Sequence, residues 1–78
     1  MVLGKIKTGD LMVLTDFVRK NGLSIDFWNV KKEVLIEMVC FDNKEACNKA
    51  FETIWNNLSV YGYCDIDRIN KKTGLVMR

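Results

Sequence analysis

The most regular pattern in the chain is an apolar run, VLIEMVCF over residues 34–41, that passes directly into an amphipathic segment. The run is apolar at odd and even positions alike, with Glu37 as its one interruption. This is typical of a central strand, or of a strand whose outer face is covered by a partner. Asp42 can cap a following helix, and Glu45 can bond back to the N–H of the cap. Beyond it, apolar residues recur at helical spacing: Cys47, Ala50, Phe51, Ile54 and Leu58. The pattern predicts a strand over residues 33–41, then a helix.

Weaker patterns predict the other elements. Residues 11–20 are predicted to form a first helix, because Leu11, Leu14 and Val18 recur at helical spacing and Asn21-Gly22 follows as a stop signal. Alternation and turn residues predict the rest: a short strand over residues 2–7, a strand over 23–28, a hairpin loop over 29–32, a strand over 60–69, and a turn at 70–74 that returns 75–78 as an edge strand.

The predicted element order is therefore β-α-β-β-α-β, within a single α+β domain over residues 1–78. Two split βαβ units of this length predict a ferredoxin-like sandwich, in which an antiparallel sheet carries two helices on one face, with or without a C-terminal β-hairpin. If residues 2–7 do not form a strand, the alternative is an α+β domain of αββαββ order.

Composition limits the class of function. The net charge of +2, from twelve basic and ten acidic residues, is too balanced for a dedicated nucleic-acid binder or a DNA mimic. The longest apolar run is too short to cross a bilayer and the N-terminus has no signal-peptide pattern, so we expect a cytoplasmic protein without a membrane partner. Three cysteines without metal-ligand spacing predict free, mostly buried thiols: Cys40, Cys47 and Cys64.

The sequence offers little material for catalysis. It has no histidine, which removes the usual general base and the commonest metal ligand. Its two serines therefore have no histidine to activate them, and the glycines are scattered singly rather than in a phosphate-binding loop. We predict a protein that is not an enzyme and carries no cofactor.

Residues 39–51, VCFDNKEACNKAF, resemble the third strand and second helix of RNA-recognition-motif domains, which run from a V-x-F strand end into an E-x-A-x-x-A helix. The resemblance covers about a fifth of the chain and implies a ferredoxin-like fold. In that family, two aromatic residues on the third strand stack on bases. The corresponding positions here are Ile36 and Met38, so the resemblance does not extend to the stacking residues.

Two sets of charged residues suggest ligand sites. Asp65 and Asp67 stand two apart on a predicted strand, a spacing that can hold Mg²⁺ for phosphodiester chemistry, although Arg68 and nearby lysines could equally neutralise the pair. Basic residues on the first strand and in two loops could contact phosphates and form a nucleic-acid-binding surface: Lys5, Lys7, Lys31, Lys32, Lys71 and Lys72. Loop lysines also keep small proteins soluble, which is the simpler interpretation.

The sheet face that no predicted helix covers is the strongest candidate site. Either parity of residues 33–41 leaves apolar groups on that face, and aromatic and methionine side chains are typical of protein interfaces. The residues predicted to bind a partner are Trp28, Ile36, Glu37, Met38 and Tyr63.

These observations favour a small non-catalytic module that binds another protein or its own copy through the apolar sheet face or an edge strand. Size and composition alone would suit an adaptor or inhibitor encoded by a phage or mobile element. The alternative is a domain that binds RNA or single-stranded nucleic acid through the six lysines.

Overall fold

The computed structural model describes residues 3–77, which form six strands, one α-helix and one short 3₁₀ helix. The first four strands are β1 Gly4–Thr8, β2 Leu11–Thr15, β3 Phe17–Asn21 and β4 Ser24–Asn29. They are followed by β5 Val34–Cys40, α1 Lys44–Tyr61, β6 Tyr63–Asp65 and the 3₁₀ helix Ile66–Arg68.

The strands form two three-stranded sheets, with strand orders β2-β1-β6 and β3-β4-β5. All neighbours are antiparallel except β1 and β6, which are parallel. Only Asp16 separates β2 from β3, so the chain turns from one sheet into the other at a single residue. The corner is held by the Trp28 carbonyl oxygen, which accepts from the Thr15 hydroxyl at 2.8 Å and from the Asp16 N–H at 3.1 Å.

The ferredoxin-like prediction is wrong, and so is the alternative αββαββ order, because the described residues are mostly β with a single helix. Residues 11–20 form β2 and β3 instead of the predicted first helix. The apolar residues of this segment fit helical spacing, but they also alternate with a period of two on each side of Asp16. The segment forms strands because strand pairing places Val13 opposite Ile6 of β1 and Val18 opposite Phe27 of β4.

The segment around residues 34–58 forms the predicted strand and helix, although the details differ. The helix is capped by Asn43 rather than Asp42, and the Asn43 side chain accepts from the Ala46 N–H at 2.8 Å. It continues to Tyr61 and ends at Gly62, whose left-handed conformation, φ 67°, suits a C-terminal cap. Only Tyr63–Asp65 remains of the strand predicted over 60–69. Predictions for residues 1, 2 and 78 fall outside the described residues.

The core lies between α1 and the inner faces of the two sheets. Ile6 represents the first sheet, Ile25 and Phe27 the second, and Ile54 the helix, and all four are completely buried. The C-terminal segment packs back on the start of the helix. Its Ile69 pairs with Val76 in an isolated antiparallel bridge, in keeping with the predicted turn at 70–74. The predicted edge strand does not form in residues 75–77, so only this one bridge corresponds to the expected C-terminal β-hairpin.

Replacing Gly74 by alanine should destabilise this packing strongly. Gly74 has φ +76°, and a Cβ atom there would overlap the Ala46 carbonyl group, with the carbonyl carbon at 2.9 Å. The conformation alone costs about 1 kcal/mol for a non-glycine residue, and the overlap should raise the loss of unfolding free energy to about 3 kcal/mol. Urea unfolding measures this loss. Gly9→Ala is the matched control, because its φ is +58° but no atom lies within 4 Å of the added carbon. Equal losses in the two variants would contradict the packing argument.

Candidate functional site

The side of the β3-β4-β5 sheet that faces away from α1 carries a row of large apolar side chains. The register places Phe17 opposite Trp28 and Trp28 opposite Leu35, so the row crosses all three strands. Phe17 and Leu35 are 44% and 42% exposed, and Trp28 is partly buried. Together with Val30 and Met38, which are also exposed, these residues form a surface that we call the outer face.

A β-bulge in β5 creates this arrangement. The register shifts between Phe27 and Trp28 of β4, so that Met38 pairs with Asp26 and Leu35 pairs with Trp28. Ile36 is the extra residue and packs against the core. Because of this extra residue, odd-numbered residues face outward at one end of β5 and even-numbered residues at the other. Met38 and Leu35 share the outer face because the bulge lies between them.

Glu37 turns away from the outer face. One of its carboxylate oxygens accepts from the Thr8 hydroxyl at 2.9 Å, and the other accepts from the N–H of Met38 at 3.2 Å. The second bond occupies a backbone donor that would otherwise be offered to an added strand. Together with the bulge, it makes the free edge of β5 a poor template for strand pairing.

A cleft of about 430 Å³ opens on the outer face. Its lining combines apolar and charged side chains, namely Phe17, Arg19, Trp28, Val30 and Glu33. The indole N–H of Trp28 is buried and has no hydrogen-bond partner among residues 3–77. A buried donor without a partner costs about 1–3 kcal/mol. We call this the Trp28 cleft.

Two charged side chains line the Trp28 cleft, and they differ in their surroundings: Arg19 forms an ion pair, whereas Glu33 lies exposed in a turn. Arg19 pairs with Asp26, its cross-strand neighbour, at 3.5 Å between Nε and a carboxylate oxygen. Asp26 is only 4% exposed and also accepts from the Ser24 hydroxyl at 3.1 Å. Glu33, by contrast, lies exposed in the β4–β5 turn. It is the only non-glycine residue with positive φ in the described chain, at 56°.

Asp16 fixes the position of the turn that supplies Val30 and Glu33. Its two carboxylate oxygens accept from the N–H groups of Val30 at 2.7 Å and Lys31 at 3.2 Å. The hydrogen bond from Val30, with a smaller contribution from Lys31, lowers the pKa of Asp16 below its ordinary value. The corner between the sheets therefore also anchors one wall of the cleft.

The residues predicted to bind a partner are not brought together as one group. Trp28 and Met38 lie on the outer face, whereas Glu37 and Ile36 point elsewhere. Tyr63 belongs to the other sheet, next to Lys5 of β1. Sequence reasoning missed Phe17, along with Arg19, Val30 and Glu33. The apolar spacing places Phe17 in a helix. One parity of the strand puts Leu35 on the uncovered face, but its pairing with Trp28 beside Met38 depends on a bulge that no local pattern indicates.

A second and larger cleft, of about 960 Å³, lies where β1, β6, the 3₁₀ helix and the last turns of α1 meet. Tyr61 and Tyr63 contribute aromatic rings to it, and four charged residues gather beside them. We call it the tyrosine cleft. The charged residues are Lys7, Asp65, Asp67 and Arg68.

The two aspartates predicted as a Mg²⁺ site lie in this cluster, but not on one strand. Asp65 ends β6, and Asp67 lies in the 3₁₀ helix. Lys7 Nζ is 3.9 Å from a carboxylate oxygen of Asp65 and 3.8 Å from one of Asp67, and Arg68 Nε is 3.6 Å from Asp65. No group of three potential metal-ligating side chains occurs within residues 3–77. The cluster is a set of ion pairs with no net charge.

The six lysines predicted to bind nucleic acid do not converge on one surface. Lys31 and Lys32 lie in the turn before β5. Lys71 and Lys72 lie beyond its other end, where their carbonyl oxygens accept from Asp42 and Asn43. Only the lysines of β1, Lys5 and Lys7, share a sheet face, and Lys7 already faces two carboxylates.

The cysteines offer no reactive thiolate in the buried part of the protein. Cys47 and Cys64 are buried and Cys40 is exposed, and all three are free thiols. Desolvation raises the pKa of Cys47, and desolvation together with the neighbouring Asp65 raises that of Cys64 to about 11.

The helix of the described region is not long and apolar enough to span a bilayer.

Asp16→Asn should loosen the β4–β5 turn in a pH-dependent way. Because folding lowers the pKa of Asp16, its carboxylate stabilises the fold fully above the ordinary value of 3.8, and this contribution is lost as the pH falls through the lowered folded value. Urea unfolding should therefore show the wild type more stable than D16N at pH 7, with the gap closing in acid. Asp10→Asn, in the exposed β1–β2 turn, is the control. A gap that stayed constant down to pH 2 would contradict this role.

No family model, curated protein or solved structure matches this chain.

Proposed function

We propose that this protein is a small, non-catalytic binding module that docks a short segment of another protein on its outer face. The observation that supports the proposal is the row of Phe17, Trp28 and Leu35 across three strands, on the side of the sheet opposite α1. Aromatic and methionine side chains in an exposed apolar patch are typical of interface cores.

The size of the outer face suits a short segment of chain. Three strands about 4.8 Å apart, with about six residues of 3.3 Å each, give the face a flat extent of about 14 by 20 Å. An α-helix with its side chains is about 10 Å wide. A single helix or an extended peptide would therefore cover the face.

The Trp28 cleft indicates the chemistry of that segment. Its volume of about 430 Å³ suits one large apolar side chain with part of the backbone next to it. Phe17, Val30 and the Trp28 ring would contact the apolar anchor. We propose a segment with an aromatic or aliphatic anchor residue.

The face is preferred to the edge of β5 as the docking surface. The bulge at Ile36 and the bond from Glu37 to the Met38 N–H both interfere with pairing of an added strand. We propose an adaptor or inhibitor role, which requires docking but no catalysis. A cytoplasmic setting is part of the proposal, because three unpaired thiols suit a reducing compartment.

Trp28→Ala should weaken partner binding at least tenfold and leave the protein cooperatively folded, because a partly buried aromatic at the centre of an interface commonly dominates its energy. Trp55→Ala is the matched control. Trp55 is the other tryptophan, 45% exposed on α1, and we expect less than a twofold effect.

The partner for this measurement can be captured by a photo-crosslinking residue placed at Leu35, with Val60 on α1 as the control position. The crosslinked protein is then identified, expressed and titrated against both tryptophan variants. Equal crosslinking from the two positions, equal losses in W28A and W55A, or unfolding of W28A would overturn the proposal. If the free protein sediments as a stable dimer and W28A sediments as a monomer, a second copy of the chain, and not a segment of another protein, occupies the outer face.

Glu33→Gly should separate binding from stability. Glycine adopts the left-handed conformation of residue 33 without the steric conflict of a side chain, so E33G should gain about 0.5 kcal/mol of unfolding free energy. It should bind the partner less well, because the Glu33 side chain lines the Trp28 cleft. Lys32→Gly, in the same turn and outside the cleft, should lose stability and keep its affinity. Unchanged affinity in E33G would remove Glu33 from the site.

A further inference from the structure

The tyrosine cleft has the features of a small-ligand site that the docking proposal does not use. Its volume of about 960 Å³ lies within the range of about 300–1,000 Å³ that ligand pockets occupy. Tyr61 and Tyr63 are 56% and 38% exposed, so aromatic surface of both residues is open to a ligand. Asn57 also lines the cleft. It is only 7% exposed, and its side chain forms a hydrogen bond with the thiol of Cys64.

The carboxylates of the cleft are held by the backbone as well as by cations. Asp67 accepts from the Gly9 N–H at 2.8 Å, and Asp65 accepts from the Asp67 N–H at 3.0 Å. The distances from Lys7 to both carboxylates, 3.8 and 3.9 Å, exceed the range of about 2.7–3.2 Å for a hydrogen bond. The Lys7 ammonium group therefore keeps donors for a ligand, and the carboxylates keep lone pairs.

This arrangement is unfavourable for the simplest charged ligands. A bare phosphate would meet two carboxylates within 4 Å of Lys7, and a divalent cation would meet Lys7 and Arg68. The four charged groups sum to zero. They therefore suit an uncharged ligand that has hydrogen-bond donors and acceptors side by side.

We propose that the tyrosine cleft binds a nucleobase. A base has a flat face that stacks on tyrosine rings. Its edge places N–H groups beside carbonyl or ring-nitrogen acceptors, which match the Asp65 and Asp67 carboxylates and the Lys7 ammonium group. The base can come from a free nucleoside or from a single strand. This site is separate from the outer face, and the proposal does not depend on docking there.

Calorimetric titration with the four ribonucleosides and with a ten-nucleotide single strand tests the proposal. We expect saturable binding of at least one nucleoside. Amide chemical-shift changes in NMR spectra should centre on residues 61–68 and on Lys7. If the ten-nucleotide single strand binds more tightly than the nucleosides and gives the same pattern of chemical-shift changes, nucleic acid is the source of the base. If a nucleoside binds as tightly as the single strand, the ligand is a free nucleoside.

Variants distinguish this site from general attraction to lysines. Tyr63→Ala should weaken nucleoside binding about tenfold through loss of stacking, whereas Tyr63→Phe should stay within twofold of wild type. Lys7→Ala should also weaken it about tenfold. Lys49→Ala is the control, because Lys49 is an exposed lysine in the first half of α1, remote from the cleft, and this variant should have less than a twofold effect.

Because the cluster is neutral, nucleoside affinity should change less than twofold between 50 and 300 mM salt. No saturable binding of any probe would overturn the proposal. So would equal losses in K49A and K7A with a steep fall in salt, because that pattern indicates non-specific contact with phosphates.

Discussion

The corner at Thr15 and Asp16 holds the two sheets in their relative positions. At this point the chain leaves one sheet and enters the other, and a single carbonyl, that of Trp28, accepts hydrogen bonds from both residues. Thr15 is completely buried there. On its other side Asp16 binds two backbone N–H groups of the β4–β5 turn. The relative position of the sheets, the placement of Trp28 and the wall of the Trp28 cleft therefore depend on adjoining hydrogen bonds.

This corner also explains why the sequence predicts a helix where the structure has two strands. Residues 11–20 read as one amphipathic helix because their apolar spacing fits a period of 3.6. Asp16 then looks like an ordinary polar residue on the wet face. Its actual role depends on Val30 and Lys31, which are fourteen and fifteen positions away. Local spacing cannot contain that information, so one wrong element changed the fold class from mostly β to ferredoxin-like.

The parts that local chemistry determines were predicted well. β4 and the hairpin to β5 follow from alternation and turn residues, and α1 follows from its regular apolar stripe. The expectation of an uncovered apolar sheet face also had a local basis, since the strand over 33–41 was apolar at both parities. Its composition could not be predicted. Leu35 reaches the face through a bulge, Phe17 through the misassigned segment, and Tyr63 lies on the other sheet.

The parallel pairing of β6 with β1 has a consequence for the order in which the molecule can be assembled. The Gly9–Asp67 bond that closes this part of the structure joins residues 58 positions apart, whereas the β3-β4-β5 sheet consists of consecutive hairpins. Contacts between residues far apart in the sequence form more slowly than contacts within hairpins. The surface around Trp28 is therefore built from contacts that are local in the sequence. The cleft between Tyr61 and Lys7 exists only when β6 is paired with β1.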